Sequence, residues 1–323
     1  MGYVAGETIL DDEFNAFVAS SSDPFGFNHF AGTGATVYGL GQPAIPTVAG
    51  GTTTVAAAQW NSLLAGLDSI ANHTNDTMTA RTAVTAGDTI AIKSAVVADL
   101  ATLAASVAGG SVNATAISVG SELQSSRASG RFAGSHIVEH TVTFANANNM
   151  RFFFNAGGKI RVNLTRVANG GSSATSKDDS VDEMITAMGD FDIASVASTR
   201  SGTTETLTTD GLAIGFQDVT TSYQTVFLLT QANGTYTSMT LKGEIKGNAT
   251  AGSTTNVTIK MSLTDADSGD ILYTSGNLSS IDVNENFIGT TDFATKLMLP
   301  TTAQGLDPVY TLSSSAEVSN TTA

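Results

Sequence analysis

The chain has 323 residues with 32 Gly, 47 Thr and no Cys, and its 14 Lys+Arg against 29 Asp+Glu leave a net charge of −15. So acidic a chain, without a basic cluster, excludes a nucleic-acid grip built on Lys and Arg, and the missing Cys excludes disulfides, thiol catalysis and Cys-ligated zinc. No run reaches the roughly 18–20 apolar residues of a membrane-crossing helix, Met1 to Asp12 carries no leader pattern, and 41% hydrophobic residues exclude a charge-repelled disordered chain.

Up to about Arg127 the sequence has helical periodicity interrupted by Gly-rich turns, and it repeats internally. Val4-Ala5-Gly6-Glu7-Thr8-Ile9 leads into Asp11 to Phe17, which includes Phe14 and Asn15. Val48-Ala49-Gly50-Gly51-Thr52-Thr53 leads into Gln59-Trp60-Asn61-Ser62-Leu63. Thr85-Ala86-Gly87-Asp88-Thr89-Ile90 leads into Ser94 to Leu100. Each copy predicts a Gly turn, a Thr N-cap and a helix. Trp60, Leu63, Leu64, Leu67 and Ile70 form one apolar stripe at helical spacing. Its packing partner, this chain or a neighbour, is left open by the pattern.

Between the first two copies, Gly32 to Pro43 superficially invites a phosphate-loop reading. Its glycine spacing fits neither nucleotide fingerprint and no Lys-Ser or Lys-Thr follows, so a connecting loop is expected.

From Phe132 to about Tyr273 the pattern alternates with period two. Strands are expected over His136 to Phe144, Phe191 to Ser198, Tyr223 to Thr230, Thr235 to Lys246 and Thr255 to Thr264. Met150 to Phe154 and Lys159 to Leu164, joined by Asn155-Ala156-Gly157-Gly158, predict a β-hairpin. Short strands in this series favour an antiparallel sandwich. The expected fold is therefore α+β, with short helical repeats in 1–126, an antiparallel β-sandwich in 127–283, and an extension or extra strands in 284–323.

Few residues propose chemistry. His136 and His140 share a strand face, but about 13 Å separates them, too far for one ion. Thr264 to Asp270 resembles the opening of a calcium loop, yet it lacks the closing Glu and sits where a turn is expected. The cluster Asp178-Asp179-Ser180-Val181-Asp182-Glu183 suits a helix start or a solvated face better than a glycosidase pair. Asn-X-Ser/Thr sequons at Asn72, Asn113, Asn163, Asn233, Asn248 and Asn256 follow from a chain rich in Asn and Thr. No catalytic, cofactor or metal residue is nominated, and an enzyme is not expected.

Several of these segments together resemble virion structural proteins of tailed phages, in particular those of large phages infecting marine cyanobacteria. The resemblance is carried by Ala5 to Ile9 with Phe14-Asn15, the Gly32-to-Gln42 loop and Gln59 to Leu63. It continues through Arg151 to Arg161, Ile214-Gly215-Phe216, Thr221 to Gln224 and Tyr236 to Ser238. Over residues 74–130 the chain departs from the family, where an Ala-rich third repeat replaces a charged stretch.

The resemblance implies a tail, neck, baseplate or fibre component located in the virion and assembled in the host cytoplasm, with other virion proteins and sister chains as partners and no nucleic acid, membrane insertion or cofactor. Phe14, Asn15, Trp60, Asn61, Leu63, Leu64 and Leu67 are the candidate assembly residues. The alternative is a receptor- or glycan-binding adhesin whose sandwich loops meet a host surface.

Overall fold

The computed structural model describes residues 11–21, 25–50, 55–88, 93–127, 131–132, 134–167, 176–202, 207–208, 213–231, 237–266, 270–273, 280–283, 287–288, 290–300 and 312–321. The fold is α+β, a helical N-terminal layer followed by two antiparallel sheets in a β-sandwich-like arrangement. The helices are α1 Asp11–Phe17, α2 Ala57–Thr74, α3 Lys93–Ala108, α4 Ala147–Asn155 and α5 Ser176–Met188. The strands are β1 Ile117–Arg127, β2 Arg131–Phe132, β3 Gly134–Phe144, β4 Lys159–Val167, β5 Phe191–Ile193, β6 Ser198–Arg200, β7 Leu207–Thr208, β8 Gln224–Gln231, β9 Met239–Gly247, β10 Asn256–Asp265, β11 Asp270–Tyr273, β12 Ser280–Val283, β13 Phe287–Ile288, β14 Thr290–Pro300 and β15 Leu312–Thr321.

The two large sheets run β1-β14-β4-β5-β6 and β15-β3-β10-β9-β8-β7, and β11-β12 and β13-β2 form two-stranded pairs. Alternation sets the buried faces, as expected for strands wetted on one side. Ile160, Val162 and Leu164 of β4 meet Leu241, Ile245, Ile259 and Leu263 of the facing sheet in one apolar cluster. α5 joins this cluster through Val181, Met184 and Met188. Arg166 of β4 holds its polar side with ion pairs to Asp178, at 3.2 Å, and Asp182. Glu183 accepts from Gln231 at 2.7 Å. The acidic cluster therefore begins a helix, Asp178 and Asp179 lying in its first turn, where the macrodipole favours them.

A second cluster is built by the helical layer. Phe14, Trp60, Leu63, Leu67 and Ile70 are at most 2% exposed, and Val96, Leu100, Leu103 and Val107 of α3 pack with them. The stripe on α2 thus faces this chain. α2 starts at Ala56, whose N–H donates to Gln59 Oε1 at 2.9 Å, and stops at Asn75, whose left-handed backbone (φ 64°) lets its N–H reach Ala71 O. The cap is Ala56 and not Thr53. Thr8, Thr52, Thr53 and Thr89, the expected N-caps, lie outside the described residues.

Phe191 to Ser198 is not one strand, since β5 ends at Ile193 and β6 starts at Ser198 and pairs back on it, and two longer segments also differ from expectation. Met150 to Phe154 is helical, so the hairpin does not form. Asn146 caps α4 by accepting from Asn149 N–H at 2.9 Å, and Gly157 (φ +84°) closes it with Gly158 N–H on Phe153 O at 2.9 Å. A strand would place Phe153 and Phe154 on opposite faces. As a helix both are fully buried, Phe154 stacking on Phe216 at 4.3 Å and Phe153 meeting Phe144 at 5.1 Å. Tertiary packing overrides a local pattern that favours strand.

The second difference is β1, a strand inside the stretch that reads as helical up to Arg127. Its partner is β14, from Ile117↔Pro300 to Arg127↔Thr291, and β14 also pairs β4. A strand from the far end of the chain therefore lies inside the five-stranded sheet. Truncating the chain after residue 289 leaves β1 without its ladder, so the shortened protein should lose cooperative unfolding and dispersed amide resonances. A truncated chain that unfolds at the full-length urea midpoint would refute this placement of β14.

Candidate functional site

In the helical layer and at its junction with the sandwich the polar groups follow one pattern. A buried aromatic residue is followed by Asn, and the Asn side chain holds backbone that has no strand partner. An amide offers one acceptor and two donors, enough to satisfy both the N–H and the C=O of one residue. Asn15 accepts from Val48 N–H at 2.8 Å and donates to Val48 O at 2.9 Å. Asn28 does the same with Ile45 at 2.8 and 2.9 Å, and Asn61 with Val84 at 2.9 and 2.9 Å. The preceding aromatics, Phe14, Phe27 and Trp60, anchor each bracket in the core. In the third repeat Asp99 takes this place, accepting from Thr79 Oγ1 at 3.4 Å and pairing with Arg81.

Phe154-Asn155 is the fourth pair, and it joins the helical layer to the sandwich. Asn155, 1% exposed, donates to Thr36 O, Tyr38 O and Gly39 O at 3.1, 2.9 and 3.2 Å. Its Oδ1 accepts from Ser195 Oγ at 3.3 Å and Gln217 Nε2 at 3.1 Å. Arg151, one turn earlier, donates to Thr33 O and Tyr38 O. Burial lowers the pKa of its guanidinium. A Cβ on Gly39 (φ +95°) would lie 2.7 Å from Thr33 O and 2.9 Å from Arg151 Nη1, so only glycine allows this approach.

The Gly-rich loop is therefore the inverse of a phosphate cradle, which presents free N–H groups. Here Gly39, Leu40, Gly41 and Gln42 turn their N–H groups back onto Phe30, Ala31 and Gly32 carbonyls. What faces Arg151 and Asn155 is carbonyl oxygen.

The sequence nominated Phe14, Asn15, Trp60, Asn61, Leu63, Leu64 and Leu67 for assembly. The structure places all five apolar members in the chain's own core and both asparagines on its own backbone. Trp60 packs against Phe17 at 6.2 Å. Beside them, Val97, Leu100 and Ala101, an apolar row at helical spacing in the third repeat, meet Phe25, which sequence reading missed. Ala16, Phe17, Phe25, Val97, Leu100 and Ala101 line an apolar cavity of about 350 Å³ between α1 and α3. Phe25 and Val97 are 39% and 51% exposed. The exposed residues of α3, Ser94, Val97, Ala98, Ala101, Thr102 and Ala105, carry no charge. That signal stood in the third repeat as a helix whose outer positions are small and neutral.

The other candidates are engaged internally. His140 joins Ser125 Oγ at 2.7 Å and Thr295 Oγ1 at 2.8 Å, and His136 meets Thr291 Oγ1 at 3.0 Å, all between the sheets. A Ser–His contact of this length suits nucleophilic chemistry, but Ser125 is 1% and His140 2% exposed, closed to a substrate. Asp265, at the start of the calcium-loop candidate, is buried in an ion pair with Lys177 at 2.6 Å, and 267–269 lie outside the described residues. Among the described residues no group of three His, Asp or Glu is placed to hold a metal ion, and no helix is long and apolar enough to cross a membrane. Comparison with protein-family models, with curated proteins and with solved structures yields no match, and no relative lends its function to this chain.

Removing a bracket leaves both an N–H and a C=O without a partner, at a cost of about 1–3 kcal/mol. Asn61→Ala and Asn28→Ala should each lower the unfolding free energy by that amount in urea titrations. Ser62→Ala, on the exposed face of α2, should stay within about 0.5 kcal/mol of wild type. Equal losses at Asn61 and Ser62 would refute the bracket.

Proposed function

We propose that this chain is a structural component of a tailed-phage virion, a tail, neck, baseplate or fibre protein that self-associates and docks through its N-terminal layer. The observation that supports the reading best is the neutral face of α3 beside the α1–α3 cavity. In a chain of net charge −15, copies repel wherever acidic surfaces meet. This face adds no such term, and its apolar cavity offers area to bury. Depletion of charge at an apolar patch is the compositional mark of an interface core. Ala98, Ala101 and Ala105 let a second backbone approach closely. The occupant of this face is a second copy of the chain.

The resemblance of Phe14-Asn15, Gln59 to Leu63 and Arg151 to Arg161 to phage virion proteins points the same way. In this structure those segments are the brackets and the α4 junction, elements that hold a building block rigid. An adhesin reading draws no support from Trp60, which is core and not a sugar-stacking platform.

The double substitution Val97→Asp/Ala101→Asp changes only exposed positions. It should leave the unfolding midpoint within a few degrees while reducing self-association and incorporation into particles at least tenfold. Sedimentation of the purified protein and immunolabelled negative-stain images of particles read the two effects. A variant that incorporates at the wild-type level removes the α3 face from assembly. A wild-type chain that stays monomeric and is missing from particles defeats the whole reading.

A further inference from the structure

His73 sits in the last turn of α2, 1% exposed, where the helical layer meets the sandwich. Its Nε2 lies 2.8 Å from Ala156 O, the cap of α4. A carbonyl only accepts, so Nε2 carries the proton and Nδ1 is the bare nitrogen. Nδ1 is buried and has no hydrogen-bond partner among the described residues. The backbone of His73 is tied as well, its carbonyl accepting from Asn113 N–H at 2.6 Å, just ahead of β1. One residue thus joins α2 to α4 and to the start of the five-stranded sheet.

We propose that His73 is an acid-sensitive latch that holds the helical layer on the β-sandwich when neutral and releases it when protonated. The other side chains of the junction, Arg151, Asn155 and Gln217, do not change charge between pH 4 and 8. A proton on Nδ1 creates a buried donor with no acceptor and a buried positive charge. The ionisable side chains on the surrounding elements are occupied elsewhere. Asp76 accepts from Thr74 Oγ1 at 2.7 Å, Asp68 acts on Arg81, Asp99 pairs with Arg81, and Arg151 is held on loop carbonyls. Residues 111–113 carry no ionisable side chain.

Burial pulls the His73 pKa below its ordinary 6.5, and the bond to Ala156 O only partly offsets this. The released state binds the proton near pH 6.5 and the docked state refuses it. The latch is therefore fully effective above that pH and weakens as pH falls toward the lowered docked value. For one proton the docking equilibrium shifts up to tenfold per pH unit in that window.

The sole tryptophan reports on the helical layer, because Trp60 lies in the first turn of α2, 2% exposed in the core that α2 shares with α1 and α3. Acidifying the full chain from pH 7.5 to 4.5 should shift Trp60 emission to the red while the far-ultraviolet β-sheet signal still holds. His73→Gln keeps a donor for Ala156 O and cannot take the proton, so its Trp60 transition should lose that pH dependence. An unchanged Trp60 profile in His73→Gln, or simultaneous loss of both signals in wild type, overturns the latch. Should the variant fail to fold, ¹⁵N spectra of the wild-type imidazole decide. A neutral Nε2–H tautomer persisting below pH 6 in docked protein supports the latch, and a ring protonated at pH 6 with α2 still docked overturns it.

Discussion

Backbone that runs through a protein interior outside helices and sheets must find hydrogen-bond partners, because an orphaned N–H or C=O there costs about 1–3 kcal/mol. This chain meets that constraint with side-chain amides. The segments around Val48, Ile45 and Val84 lie against the helical layer with no strand beside them, and Asn15, Asn28 and Asn61 supply the missing partner. Asn155 and Arg151 do the same for the carbonyls of the Gly-rich loop. The rest of the N-terminal architecture depends on these bonds, since they fix the connections that let α1, α2 and α3 share one core.

The pairing of an aromatic residue with Asn has a physical logic. A ring buried at 0–2% exposure fixes the position of its own helix turn, and the next side chain is then held at the edge of the core. There it reaches buried or part-buried backbone that is not laddered. An amide suits this better than a carboxylate or an ammonium group, because it satisfies donor and acceptor together and brings no charge out of water. In the third repeat the edge position carries Asp99, and the charge is met by Arg81. The same preference for internal pairing runs through the β region. Arg161 forks onto Asp192 at 2.7 and 2.9 Å, Arg166 holds Asp178 and Asp182, and Lys177 holds Asp265. Part of the scarce positive charge is thus spent on ion pairs within the molecule.

What was legible in the sequence divides along the range of the interactions. The α2 stripe and strands β3, β8, β9 and β10 rest on local periodicity and stand close to where the pattern puts them. The helix α4 was hidden because three consecutive Phe residues imitate a buried strand, although Asn146 already offered a local cap. β1 looked helical because its partner lies far along the chain, Ile117 facing Pro300. Of the bracket asparagines, Asn15 and Asn61 stood in the repeats, Asn155 stood in an expected turn and Asn28 in no pattern, and none of their partners was visible. Nothing local ties Asn15 to Val48, 33 residues on, or Asn155 to Gly39, 116 residues back. The α1–α3 cavity was illegible for the same reason, since Phe25 reaches it from outside every repeat.

The bracket system also bears on where another chain can bind. Residues that looked like assembly contacts are spent on the interior, Trp60 and the leucines as packing and Asn15 and Asn61 as backbone partners. Exposing them would open the core, so an interface built on them would need the monomer to unfold locally. A face available without that cost must lie on the outer side of a helix whose inner side is already satisfied. α3 meets this condition, with Val96, Leu100, Leu103 and Val107 turned inward and a neutral row of small side chains turned outward. The low charge of the chain then has a specific local form. A helix can be small and neutral on its outer face because its position is held from within, by its buried stripe and by Asp99.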